Sequence, residues 1–213
     1  GQGLIGDKLH KGADLLKLTS FDELYINLLS QWRHPTELVI AAIEPRSLLT
    51  ESSWTSNLNN KTHRMQYMDQ ISYLPDDILV KVDRAAMGVS LETRVPFLDH
   101  HIVEFSWQLP INMKMRNGEG KWIVRKMLDQ YIPREIMERP KMGFGVPISH
   151  WLRGPLRDWA ESLLDEKRLR DEGFLDPEVV RVKWEQHLNG SRNWEYLLWD
   201  VLTFEAWLEA TRH

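Results

Sequence analysis

The sequence predicts a mainly or wholly α-helical fold, and three observations carry that prediction. Apolar residues recur at intervals of three and four along most of the chain, as in Phe21, Leu24, Tyr25, Leu28, Leu29 and Trp32. Helix boundaries are written in matching signals. Ser20 with Glu23 forms a capping box, Asp176-Pro177 is a cap followed by a first-turn proline, and Asn189-Gly190 is its stop. No run alternates polar and apolar residues with a period of two, and no repeat or low-complexity segment interrupts the chain.

In chain order, Leu4 to Leu18 reads as a helix with Lys8 and Lys11 on its wet side. The capped helix from Phe21 follows and ends at His34-Pro35, before a polar, turn-rich loop over residues 44–60. Met65, Met68, Ile71 and Leu74 mark a helix that should end before Pro75. A new helix is then expected with Asp76 as its cap and Asp77 in its first turn, where carboxylates suit the helix dipole. It places Ile78, Leu79, Val82, Ala85, Ala86 and Val89 on one arc and Asp77, Lys81 and Arg84 on the other, with Asp83 at the border. It should fail near Gly88 and Ser90, and Asp99 can cap the next helix, which carries Ile102, Val103, Phe105, Ser106 and Leu109. Asn117-Gly118 predicts a tight turn, Trp122 to Tyr131 a helix, and Pro133 the start of a short helix to Glu138. Residues 139–149 contain two prolines and two glycines and cannot be regular. Trp151 to Leu164 predicts one helix bent near Gly154-Pro155, and Trp194 to Leu208 the last helix.

Composition narrows the function. At 213 residues the chain fits one domain or a compact two-lobed one, long enough for a proper core. A net charge of -4 argues against a nucleic-acid partner, which needs a positive footprint. With no cysteine there is no disulfide, thiolate metal site or cysteine nucleophile, which suits a cytoplasmic protein. No apolar run is long enough to span a membrane, and no signal peptide opens the chain. The eight histidines lack metal-ligand spacing, and the side chains of His100 and His101 should diverge on their helix, so no metal site is expected. The ten tryptophans mostly sit at helical spacing beside leucines and read as packing residues. No nucleophile elbow or glycine-rich phosphate loop is present.

Chemistry is best sought where charge meets enforced irregular backbone, at Thr93 to His100 and at 139–151. Lys141 lies between Pro140 and a Gly-Phe-Gly segment that lets backbone approach a ligand. A lysine held there is a fixed cation suited to developing negative charge on a phosphate or oxyanion. Taken alone, the charged arc of Asp77, Lys81 and Arg84 reads as a wetted surface.

YLPDDILVKVDRAAMGVSLETRVPFLDH, from Tyr73 to His100, closely resembles the long motif of the synthetase domain of glutamine-dependent asparagine synthetases. RPKMGFGVPISHWLRG resembles the family's later lysine-containing loop, and GEGKWIVRKML and GDKLHKGADLL are also similar. The likeness covers nearly the whole chain, most weakly at 44–60 and 165–190. It implies the helical C-terminal portion of an ATP pyrophosphatase-like synthetase domain, spanning 1–213 as one helical domain. The family adenylates the aspartate side-chain carboxylate with ATP and Mg2+, then amidates it with glutamine-derived ammonia. The SGGxDS loop, the GDGGDE-like magnesium segment and the glutaminase cysteine are not in these residues, so the main ATP and Mg2+ ligands are not either, and the chain alone is expected to be inactive. The resemblance makes Lys141 a charge-stabilising residue and Glu92 a candidate to orient it or a nearby base. It makes Asp76, Asp77, Lys81, Asp83, Arg84 and Arg94 candidates near substrate or ATP, with Arg84 or Arg94 able to grip a carboxylate or phosphate.

These motifs serve adenylation generally, so a relative that amidates or cyclises another carboxylate, as in polysaccharide modification or lactam closure, stays open. A helical scaffold using the tryptophan-rich face is the reading from another class, and the reading frame upstream of Gly1 separates it from the enzymes. A helical piece parted from its sheet should also expose apolar surface, through which it would self-associate as a homo-oligomer.

Overall fold

A computed structural model describes residues 16, 18–47, 57–138 and 145–212. The predicted Leu4 to Leu18 helix lies almost entirely outside the described residues, as does most of the 44–60 loop. The fold is mainly α-helical, and the chain divides into two compact units, residues 1–78 with 146–213, and residues 79–145.

The first unit has the core. Its carboxy-terminal part strings together the helices Ile148–Arg153, Arg157–Leu163, Glu166–Glu172, Pro177–Leu188 and Glu195–Thr211. Leu152, Ala160, Leu163, Leu164, Leu169, Val180, Trp184, Leu198, Val201 and Leu202 bury one face from each of them. Trp184 is fully buried, and its indole N–H donates to Glu161, which also accepts from Arg181 at 2.7 Å. His187, equally buried, takes the Trp194 amide on Nδ1 at 3.2 Å. Burial first and the charge of Arg153 second hold its imidazole down at about 4, so it is neutral around neutral pH.

The expected boundaries at both ends of the 177–188 helix are present. Asp176 accepts from the amides of Glu178 (2.9 Å) and Val179 (3.2 Å), and Gly190 turns the chain at φ 76°. The predicted bent helix over 151–164 is instead two helices, because the chain leaves helical geometry at Gly154 (ψ -109°), beside a proline that cannot donate a backbone hydrogen bond. The Glu166–Glu172 helix lacks a sequence forecast. Only Leu169 of it is buried, so its apolar periodicity is too sparse to read. Further upstream, the Phe21–Leu29 helix begins on the predicted capping box of Ser20 and Glu23. It meets the Lys61–Ile71 helix through Tyr25, whose hydroxyl donates to Asp69, and through an ion pair between Asp22 and Arg64. An isolated antiparallel bridge, Val39 to Leu175, fastens the stretch after the Pro35–Leu38 helix onto the bundle.

The second unit holds the helices Val80–Met87, His100–Gln108, Ile111–Lys114, Trp122–Leu128 and Arg134–Met137, with a 3-10 turn at Pro96–Leu98. Asn117 (φ 52°) and Gly118 (φ 80°) make the predicted tight turn, in the two-residue form with both central φ positive that closes a hairpin. The strands flanking it, Met115–Arg116 and Glu119–Gly120, are two residues each, too short for alternation to register. None of the described residues of this unit is buried. Val82 and its neighbours do share a helix face, but that face is open to solvent.

This contrast predicts unequal mutational costs. Leu202→Ala should destabilise the chain by about 3 kcal/mol through cavity formation. Val82→Ala should stay within about 0.5 kcal/mol, as expected for an exposed side chain, with urea midpoints reading both values.

Candidate functional site

The segment from Tyr73 to His101 carries nearly all the predicted site residues, and its backbone departs from the forecast at its start. Helical hydrogen bonding begins before Asp76, in a π-helix over Leu74–Leu79, and the Asp76 amide donates to the Ser72 carbonyl at 2.9 Å. Asp76 is therefore inside the helical turn instead of capping it. Both Asp76 and Asp77 still sit in its first turn, where the dipole favours them. Asp76 is exposed and Asp77 half-buried.

The Val80–Met87 helix presents Lys81, Asp83 and Arg84 to solvent. It stops at Gly88 as expected, where a Cβ would come within 3.2 Å of the Arg84 carbonyl oxygen. The left-handed residue that turns the chain is Ser90 (φ 59°), and the Leu91 amide closes the turn on the Ala86 carbonyl at 3.0 Å.

Residues 91–95 then run without regular structure, with Val95 in extended geometry. Arg94 pairs with Glu92 at 2.8 Å, with both side chains largely exposed. The structure thus brings together two of the predicted residues and leaves them facing water. Asp99 caps the next helix as forecast, accepting from the His101 amide at 2.9 Å. Ser90 and the Pro96–Leu98 turn act as the joints that hold Glu92 and Arg94 on a short irregular stretch between two helices.

The expectation that the rings of His100 and His101 diverge is not met, since their centroids are 3.8 Å apart. Their nitrogens and an Asp99 oxygen lie within 4.8 Å of one another, close enough for three metal ligands. All three residues are exposed and sit at the positive end of a helix, which opposes a cation. Two imidazoles also differ from the oxygen shell that Mg2+ takes, so this cluster does not fit that ion. Among the described residues no other group of three such ligands assembles.

Lys141 lies outside the described residues, as do its neighbours from 139 to 144. One charged group escaped the sequence reading. Asp129 accepts from Arg134 on both oxygens, at 3.1 and 2.9 Å, and from Lys126 at 3.2 Å. Arg134 above all holds its carboxyl down at about 2. The pair ties the end of the Trp122–Leu128 helix to the start of the Arg134–Met137 helix. Its only sequence trace was a carboxylate five residues before an arginine, across a proline.

Electrostatically, the stretch offers three exposed cations, Lys81, Arg84 and Arg94, and several exposed carboxylates on backbone shaped by turns. Such groups can meet a carboxylate or phosphate brought to them from outside the unit. Because the Glu92–Arg94 pair is exposed, Arg94→Ala should change the unfolding free energy of the chain by less than about 0.5 kcal/mol in urea titrations. A larger loss would mean that the pair holds structure.

A family model described as asparagine synthase matches residues 1–209. Asparagine synthetase (glutamine-hydrolyzing) 1 of Bacillus subtilis is 33% identical over 162 residues, covering 76% of this chain and 25% of that protein. A putative glutamine-hydrolyzing asparagine synthetase of Mycobacterium tuberculosis H37Rv is 37% identical over 145 residues, covering 68% of this chain and 22% of that protein. The amidase chyE of Penicillium rubens is 30% identical over 121 residues, or 54% of this chain and 18% of its own. The chain spans about a quarter of the length of the first two relatives. No solved structure matches it.

Proposed function

The chain belongs to the asparagine synthase family, and we propose that it forms the helical C-terminal part of an ATP-dependent, glutamine-hydrolysing asparagine synthetase, a carbon–nitrogen ligase. The match over residues 1–209 is the observation that carries this reading. In the proposed reaction an aspartate side-chain carboxylate attacks the α-phosphorus of ATP and pyrophosphate leaves. Ammonia derived from glutamine then adds to the acyl carbon, AMP departs, and the nitrogen sheds its extra proton to a base.

Each role follows from charge. Lys141 is a fixed cation for the pyrophosphate and the acyl-adenylate. Glu92 orients Lys141 or accepts the proton from the incoming nitrogen, and its observed hold on Arg94 supports a position near an anionic substrate. On this reading Arg84 or Arg94 grips a carboxylate or phosphate, while Asp76, Asp77, Lys81 and Asp83 help to order the helix and the loop around the site. The chief ATP and Mg2+ ligands belong to other parts of the enzyme on this reading, so the 213 residues by themselves are inactive.

The open apolar face of residues 79–145 supports the same reading. Val89 is 76% and Phe97 57% exposed, and further synthetase chain would cover them. In its absence, that face would drive self-association. No helix of the described residues is long and apolar enough to cross a membrane. The proposed enzyme works in the cytoplasm, without nucleic-acid or membrane partners. Relatives outside the asparagine synthetases, named as amidases, keep open one alternative within the class, an enzyme that amidates or cyclises a different carboxylate.

Lys141→Ala, placed in a full-length synthetase carrying this stretch, should abolish amide formation while glutamine hydrolysis continues. Normal asparagine production by that variant contradicts the role given to Lys141, and asparagine made from ATP, aspartate and ammonia by the 213 residues alone contradicts the assignment as a partial enzyme.

A further inference from the structure

Among the described residues, Glu205 is the one buried acid, 1% exposed on the Glu195–Thr211 helix. Glu172, at the end of the Glu166–Glu172 helix, is nearly as buried through its side chain. Arg168 Nε lies 3.2 Å from Glu172 Oε1 and 3.9 Å from Glu205 Oε2, and its Nη1 lies 3.8 Å from Glu209. Arg212 Nη1 donates to Glu172 Oε1 at 2.8 Å. Three carboxylates thus meet two guanidiniums, which leaves one negative charge uncompensated. With every carboxyl ionised, Oε2 of Glu172 and Oε2 of Glu205 would both be buried without a hydrogen-bond donor. Two such orphans in one cluster are costly.

We propose that the folded bundle holds one proton between Glu205 and Glu172, and that this acid pair is a pH-sensitive latch on the last helix, fastened while protonated and loosened when the proton leaves. A single proton resolves both anomalies, because it removes the surplus charge and turns the two orphan oxygens into donor and acceptor. Burial first, then the hydrogen bond and charge of Glu172, push the Glu205 carboxyl well above the ordinary carboxylate range, against the pull of Arg168 and Arg212. The surroundings act in the same direction. Arg168 also borders an open cleft of about 530 Å³ lined by Asp158, Glu161 and Asp165, so its charge is shared among further carboxylates. Glu161 is already engaged by Arg181 and Trp184.

The sign of the pH dependence follows. The folded state keeps a proton that the unfolded chain gives up above the ordinary glutamate value of 4.5. The latch's contribution to stability is therefore complete below that value and is lost as pH rises through the raised value of the folded pair.

The test is urea unfolding of the 213-residue chain, followed by tryptophan fluorescence at about pH 5 and about pH 9, for the unaltered chain and for Glu205→Gln, which stays neutral at both. The two should be similarly stable at the lower pH, and the variant should have a folding equilibrium constant about tenfold larger at the higher one, the factor that one unit of pKa shift represents. Parallel loss of stability in the two proteins overturns the latch. Should the variant fail to fold, infrared spectra of the unaltered chain labelled with 13C-glutamate decide the matter. A buried carboxylic-acid C=O band present at neutral pH and lost in alkali supports the proposal, and no such band at neutral pH refutes it.

Discussion

Apolar side chains have to be taken out of water by something, and in this protein the two units meet that constraint very differently. The unit containing residues 146–212 buries its own. Trp184, Leu152, Leu164, Leu169 and Leu202 are sealed between five helices, and Tyr25, Leu38 and Met68 add buried contacts from upstream. Each such side chain contributes roughly 1.5–3 kcal/mol when fully removed from water, enough to hold short helices that would not persist alone. Residues 79–145 have shorter helices, the longest His100–Gln108, that also carry apolar residues at helical spacing, yet none of the described ones is buried. Their apolar face has no partner within the unit.

That difference gives meaning to the motif residues. Glu92 and Arg94 stand on a short irregular stretch, framed by the left-handed turn at Ser90 and by the Pro96–Leu98 turn, and they pair with each other in water. An ion pair so exposed adds little to stability, so folding supplies no strong reason for these residue types. Chemistry supplies one if an anionic substrate and the remaining protein close over them, as proposed for an asparagine synthetase. By contrast, the Glu205 and Glu172 carboxyls in the bundle are removed from water by the fold itself, with the half-buried Arg168 and the exposed Arg212 reaching in to them. Their protonation is therefore tied to folding.

Much of the fold was legible in the residues. Ser20 with Glu23, Asp99, Asp176-Pro177 and Asn117-Gly118 act locally, and each does in the structure what its chemistry dictates. Signals that depend on competition were harder to read. The π-helix from Leu74 absorbs Pro75 and displaces Asp76 from its expected cap, and Gly154 separates two helices where a bend was forecast. The 166–172 helix has only one buried residue and so no pattern to detect. At the candidate site, periodicity identified the charged face of Lys81 and Arg84, but could not reveal that the opposite face would also be wet. The Asp129–Arg134 pair and the Glu172–Glu205 cluster were invisible because they join separate helices, and Lys141 lies outside the described residues.

The central claim is that one unit carries its own core while the motif-bearing unit depends on chain or partner surface beyond itself. Amide hydrogen exchange of the 213-residue chain at low concentration tests it most directly. Helical amides of 148–211 should exchange only through global opening, and those of 80–137 should exchange orders of magnitude faster through local opening. Equal protection across the two units would contradict the account.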